Sequence, residues 1–444
     1  MLRTYIVLPD GTEIFSGAEG AAVMSCSLTQ SVSNQTELAP GAVCAAMAEV
    51  TLWEDTPLSV GAGDALTLWQ VDESGNRRRL GIFLAEKPER SGNLLKLTAY
   101  DRLRLLDKDI GGYIAGLDAW PYSLLELAQL CCRECGLELQ NGELPNGDFP
   151  VEKGNFQGVT GRMVMEWVAQ IAGCFCQADE MGQPVLRWFT PAEMPITAAD
   201  CFSGGMTLET YETPPIRKVV LRQSETDVGT AWPENTDGCA LCITGNPFLA
   251  AKNANHLKAV AQTLYERFGG LSYTPGNLRI PSGGWAVGQT VTVTDPAGRG
   301  CTFYIMGLQR SNQGDILTCT GSGDREAVEA VENRSARGLA GKMLTLQADV
   351  DGLRAENTDN QGKIASLSLD ISGIRSQVSS LEGQETRLTA LEQTAQGLTV
   401  TVEKLTTQGA QKLKTAMGYT FDDSGLRIRR EGQQMENLLD NTGM

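Results

Sequence analysis

The sequence predicts a mainly β chain with an α/β insert, ending in a long coiled coil. Three observations carry that prediction: short apolar runs spaced by Gly-containing turns, a change to helical period after Pro121, and an aromatic-free heptad from Leu339 onward. The 444 residues hold 17 Pro, 7 Trp and 12 Cys, and every one of these precedes residue 320. No aromatic residue lies between Tyr304 and Tyr419, so a globular head is followed by something that packs without aromatics.

In the first hundred residues the runs RTYIVL, AVMSCSLTQSV, AEVTLW, ALTLWQV, RLGIFLAEK and NLLKLTAY read as antiparallel strands of a small barrel or sandwich. Asp10-Gly11, Ser74-Gly75 and Ser91-Gly92 supply the turns. After Pro121 the apolar residues Leu124, Leu127, Ala128 and Cys131 recur at helical spacing. Ser123 is placed to cap that helix, with Glu126 three positions on, and Gly136 to stop it. A second helix is expected over Arg162 to Ala172, capped by Thr160 and ended by Gly173. CFCQAD and PVLRWF follow as a strand pair around Met181-Gly182, completing a small α/β module. Strand signals return at KVVLRQ, ALCIT, QTVTVTD, TFYIMGLQR and DILTCTGS, with one amphipathic helix, Pro247 to Phe268, among them.

From residue 339 the apolar positions step by alternating fours and threes. Leu339, Met343, Leu346, Val350, Leu353, Asn357, Asn360, Ile364, Leu367, Ile371, Ile374, Val378 and Leu381 form an a/d seam. Leu388, Leu391, Ala395, Leu398, Val402 and Leu405 continue it three residues out of phase, which a stammer near Gly383 explains. Gly352, Gly362, Gly373, Gly383 and Gly397 fall at solvent-facing c or f positions, where each costs about 1 kcal/mol of helix propensity and leaves the seam intact. A rod of roughly 67 residues would be about 100 Å long. One chain has nothing with which to bury so narrow a stripe, so self-association is required; the seam by itself leaves the number of strands open. The boundaries drawn are 1–117 and 196–323 for two β domains, 118–195 for the α/β module, 324–418 for the stalk and 419–444 for the opening of a further module.

Composition excludes several chemistries. With 37 Lys plus Arg against 54 Asp plus Glu, the chain carries −17, which disfavours neutralisation of nucleic-acid phosphates. No apolar stretch is long enough to span a bilayer, and the N-terminus has no signal-peptide pattern, so folding in the cytosol with mostly reduced cysteines is expected. Cys132/Cys135 and Cys239/Cys242 are two CxxC pairs about a hundred residues apart, a spacing unlike compact zinc sites; buried thiols are the expectation. His256, the single histidine, sits on the predicted helix whose stripe is Leu249, Leu257, Val260, Ala261, Leu264 and Phe268, and is read as a surface residue. SGGW and FGGL are not followed by Lys-Ser or Lys-Thr and do not form a phosphate loop. No catalytic, cofactor or metal residue is assigned.

Three segments resemble a known family. GIFLAEKPERSGNLLKLTAYDRLRLLDKDI is similar to the strand, charged turn, strand and YD-helix passage of the N-terminal hub domain in phage tail-associated proteins. QTVTVTDPAGRGCTFYIMGLQRSNQGDILTCTGSG resembles the second barrel of that hub, and TFDDSGLRIRREGQQMENLLDNTGM the start of a tip or fibre module. The order of the three carries more weight than any one of them. The resemblance, to phage tail-tip and baseplate hub proteins including prophage tail endopeptidases, implies two tube-type β-barrels around the insert. It further implies a homotrimer at the virion tail tip that closes or extends the tail tube and projects its coiled coil toward the host. The partners it implies are distal-tail and tail-tube proteins, the tape-measure protein, further tip or fibre proteins, and DNA that passes without specific binding. Relatives with a cell-wall hydrolase carry it after the hub, and no such domain follows here. A peptidoglycan hydrolase and a receptor-binding fibre are the alternative readings. The 36 acidic and 23 basic residues before position 324 leave −13 on the head, a charge that would repel passing DNA if it faced the lumen.

Overall fold

The computed structural model describes residues 3–323, apart from 17–19, 33–36, 72–74, 87, 155, 224–227, 251, 253 and 312; beyond 323 it describes only short backbone strands. The chain divides into two units, Met1–Thr345 and Leu346–Met444.

The first unit is mainly β. Its opening strands are β1 (Arg3–Val7), β2 (Glu13–Phe15), β3 (Ala21–Ser31), β4 (Met47–Glu54), β5 (Ala65–Val71), β6 (Arg77–Ala85), β7 (Glu89–Ser91) and β8 (Leu94–Asp101). The six apolar runs of the sequence all become strands, and β2 and β7 are added by pairing with longer neighbours. Alternation sets the faces. In β4, Ala48, Val50 and Leu52 are buried while Glu49 and Trp53 face out, and β8 repeats this with Leu95, Leu97 and Ala99. Ile6, Leu66, Leu68, Phe83 and these residues form one core.

The insert is built on two capped helices. In α1 (Leu124–Glu134) the Ser123 hydroxyl accepts from the Glu126 amide and the Glu126 carboxylate accepts from the Ser123 amide, a reciprocal capping box. In α2 (Gly161–Ile171) the Thr160 side chain accepts from Met163 N. Gly136 and Gly173, at φ 74° and 63°, end the two helices in the left-handed region. The hairpin β9 (Phe175–Ala178) and β10 (Pro184–Arg187) follows, turned at Gly182.

Further strands include β11 (Met206–Leu208), β12 (Lys218–Arg222), β13 (Ala240–Thr244), β14 (Gly276–Ile280), β15 (Gln289–Thr294), β16 (Gly300–Tyr304), β17 (Gly307–Ser311) and β18 (Gly314–Cys319). They do not share one sheet. β12 and β13 pair in parallel, in a separate four-stranded sheet against which α3 (Ala254–Phe268) packs. Their continuous apolar runs, with all five residues of β13 buried, are those of strands covered on both faces.

Two expectations are corrected here. The helix expected over Pro247 to Phe268 is broken: Pro247–Leu249 is a 3-10 turn capped by Asn246, whose side chain accepts from Phe248 N, and Ala250 is extended. Lys252, buried, instead reaches Glu152 at 3.0 Å. The run TFYIMGLQR, read as one strand, switches sheets at Ile305–Met306: β16 pairs with β15, whereas β17 pairs with β18 and β3. Both switch residues are buried, and it is their side-by-side burial that interrupts the alternation.

The β3–β17 pairing joins the two halves of the molecule. It produces a 12-stranded sheet in the order β11-β14-β18-β17-β3-β4-β8-β6-β5-β1-β2, with β7 on β8. A second core of Phe175, Leu278, Val291, Val293, Phe303, Leu308 and Leu317 lies under the β14–β17 side.

Candidate interaction face

Where the sheet crosses from one core to the other, across β14, β18, β17 and β3, many of its outward side chains are polar. Ser27 stands between Glu49 of β4 and Ser311 of β17, and Glu49 is opposite Thr98 of β8. Thr29 faces Gln309, Gln309 faces Ile316, and Ile316 faces Arg279. The last row runs through Thr207, Asn277, Thr318, Gly307 and Ser31. Hydroxyl and amide side chains dominate because period-2 alternation puts every second residue in water once its neighbours are committed to a core.

The face is concave where β3, β4, β8 and β17 meet, with a groove of about 940 Å³. Glu49, Glu86, Glu89, Lys96, Gln309 and Gln313 are among its lining residues. Lys96 is directly opposite Glu89, and Glu86 pairs with Arg104. Arg279, at the far end, lies over the Phe202 ring at 5.6 Å. Lys96, Arg104 and Arg279 therefore each have a neighbour, and among the described residues the groove lining holds three carboxylates against one ammonium.

Beneath the face, buried ionic groups fix its supports. Glu54 accepts from Arg90 at 2.9 Å and from Leu58 N at 2.8 Å. Asp101, at the end of β8, accepts from Ala46 N at 2.8 Å and from Leu103 N at 2.9 Å, tying β8 to the chain before β4 and starting the turn Arg102–Asp107. Burial pushes its carboxyl up to about 6, against the pull of those two amides and of Arg162. A raised folded-state value stabilises the fold fully below the unfolded value of about 3.9, and that contribution is lost as pH rises through about 6. From pH 4 to pH 7 the wild type is thus expected to lose up to about 3 kcal/mol relative to Asp101→Asn, a difference in slope read from urea unfolding at several pH values. Parallel stability profiles for the two proteins would remove the assignment.

The cysteine pairs are not brought together. Cys131 and Cys132 are buried on α1, with the Cys132 Sγ at 3.6 Å from Met165 Sδ, while Cys242 belongs to a small core with Val220 and Ala240. Burial raises the Cys132 thiol to about 12 and Cys135 to about 11, so neither is a ready thiolate. Among the described residues no group of three or more His, Cys, Asp and Glu is arranged to hold a metal. His256 is exposed on the first turn of α3, as expected for a surface residue. Among the described residues no helix is long and apolar enough to cross a membrane.

Of the seam, Leu339, Met343, Leu346, Val350, Leu353, Asn357, Asn360, Ile364, Leu367, Ile371, Leu381, Val402 and Leu405 lie outside the described residues. Ile374, Val378, Leu388, Leu391 and Leu398 fall on backbone strands Gly373–Ser380, Leu388–Thr394 and Gly397–Thr401, which pair antiparallel in the single chain and whose side chains are not described. The expectation that several chains wind together concerns other copies and is not decided by this pairing within one chain. Sequence reading missed the polar face itself. Its signal was present in the Ser25, Ser27, Thr29, Ser31 alternation, but the β3–β17 pairing that extends it spans almost three hundred residues.

Fold and face define a mainly β chain organised around one long, polar, half-solvated sheet. No family model matches the chain, and no curated protein matches it. Among solved structures it is similar to tail proteins of prophages and bacteria. The 43 kDa tail protein of prophage MuSo2 from Shewanella oneidensis is 13% identical, with 71% of this chain and 95% of that chain covered at a TM-score of 0.46. The tail protein from Neisseria meningitidis MC58 is 12% identical, covering 74% and 99%, also at 0.46. Prophage tail protein gp18 from Listeria monocytogenes EGD-e is 9% identical, covering 72% and 95% at 0.45. At such identities the likeness concerns chain course and not individual residues.

Proposed function

We propose that this chain is a structural virion protein, the trimeric tail-tip or baseplate hub of a tailed phage, and not an enzyme. In this reading residues 1–117 and 196–323 are tube-type barrel domains around the 118–195 insert. The 324–418 segment is a three-stranded coiled coil directed at the host surface, and 419–444 opens a tip module. Distal-tail and tail-tube proteins dock on the head, the tape-measure protein and further fibre proteins are its other neighbours, and DNA passes through without specific binding. The observation that carries the reading is the seam from Leu339 to Leu405, which a lone chain would leave wet. The groove on the sheet supports it: a passage lined by hydroxyls, amides and the carboxylates Glu49, Glu86 and Glu89 against the single ammonium of Lys96 would repel phosphates.

The test is the solution mass of the full chain. The expected result is three times the 47.7 kDa chain mass, reduced to the monomer by Leu367→Asp combined with Ile371→Asp, which place charges on consecutive seam layers. A monomeric wild type would overturn the proposal.

A further inference from the structure

The last described stretch of the head, Thr320 to Gly323, follows β18 and is held by side chains from three distant parts of the sequence. The Tyr273 hydroxyl donates to Thr320 O at 2.9 Å and accepts from Leu38 N at 3.0 Å. The Tyr211 hydroxyl donates to Gly321 O at 3.1 Å. Ser322 N donates to a Glu37 carboxylate oxygen at 2.7 Å. Contact is close enough to require glycine twice. A Cβ on Gly321 would stand 2.7 Å from the Thr213 methyl and 2.9 Å from the Tyr273 hydroxyl, and one on Gly323 would enter the Tyr211 ring.

We propose that Thr320–Gly323 is a strap and that Glu37, Tyr211 and Tyr273 are the clasp that closes on it. The clasp fixes the direction in which the polypeptide leaves the head and passes tension on the following chain into the head as a whole. Without it, a pull at Gly323 would act on the end of β18 and open its pairing with β14 and β17 one hydrogen bond at a time. With it, the load falls at once on Glu37, on the stretch carrying Tyr211 and on Tyr273, which are far apart in the sequence. The device is independent of how many copies assemble.

Burial raises the Glu37 carboxyl above its usual value, opposed by the hydrogen bond it accepts from Ser322 N and by the neighbouring Tyr273 hydroxyl. The titratable groups facing it are Tyr273, Tyr211 and Cys319, all of which would add negative charge and none of which compensates its own.

Hydrogen exchange on the full-length protein tests this, followed by mass spectrometry on peptides covering 318–324. Tyr211→Phe removes one hydroxyl and is expected to speed exchange there roughly fivefold, the factor for one lost hydrogen bond, with β4 unchanged. Gly323→Ala should speed it further. If Tyr211→Phe and Gly323→Ala both exchange like the wild type over 318–324, or if β4 accelerates equally, the strap is not a separate device and the proposal fails.

Discussion

Arg310→Ala is expected to destabilise the β14–β18 side of the long sheet by about 3–5 kcal/mol, the cost of leaving a buried charge without its partner. Asp315 is 0% exposed and Arg310 only 7%, and they face each other at 3.4 Å near the β17–β18 turn. Arg310 also donates to Trp285 O at 2.7 Å, and Asp315 accepts from Ser282 Oγ at 3.0 Å and Gly283 N at 3.3 Å. The pair thus pins the 282–285 loop to the hairpin as well as neutralising two charges. Burial lowers the Arg310 guanidinium from its ordinary value, with Asp315 pulling it back. Removing both charges together, as Arg310→Met with Asp315→Leu, should cost much less than Arg310→Ala, because desolvation of both ions disappears with their attraction. Urea midpoints of the three proteins decide it; a double variant as unstable as the single one would show that the loop contacts matter more than the charge.

Trp167→Ala is expected to cost about 3–5 kcal/mol in the insert. Trp167 is fully buried in the middle of α2, with its ring edge-on to Phe248 at a centroid distance of 5.3 Å. Its carbonyl accepts from Asn246, whose own side chain caps the turn Pro247–Leu249. A cavity there would loosen the joint between the insert and the segment leading into α3. Its indole N–H is buried without a hydrogen-bond partner, so Trp167→Phe removes an unsatisfied donor together with some volume. The phenylalanine variant should consequently lose no more than about half of what alanine loses, judged by thermal or urea unfolding. Equal losses would mean that the indole N–H has a water or another partner in solution.

These two sites separate what was legible in the sequence from what was not. Trp167 belongs to a local pattern: a cap at Thr160, an apolar stripe at helical spacing and a stop at Gly173, all of which are written within fourteen residues. The Ser123–Glu126 capping box and the strands of the first core are of the same kind. Arg310 and Asp315 give no such sign. Read in sequence they sit on neighbouring strands beside a turn, as any exposed pair could, and only the closing of Trp285 and Ser282 over them makes them buried. The broken helix at Ala250 has a similar origin. Lys252, off the helical path, is ion-paired with Glu152, a hundred residues earlier, a contact that no local pattern announces.

What the sequence determined by itself is whatever depends on near neighbours: strand alternation, helix caps and the break in composition after Cys319. Tertiary structure alone decided which strands share a sheet. The β3–β17 pairing, the transfer of the chain at Ile305–Met306 and the parallel β12–β13 sheet all follow from competition among backbone partners far apart in the chain. Such competition is settled by the total burial of the two cores, a quantity to which every strand contributes and which no short window of residues contains.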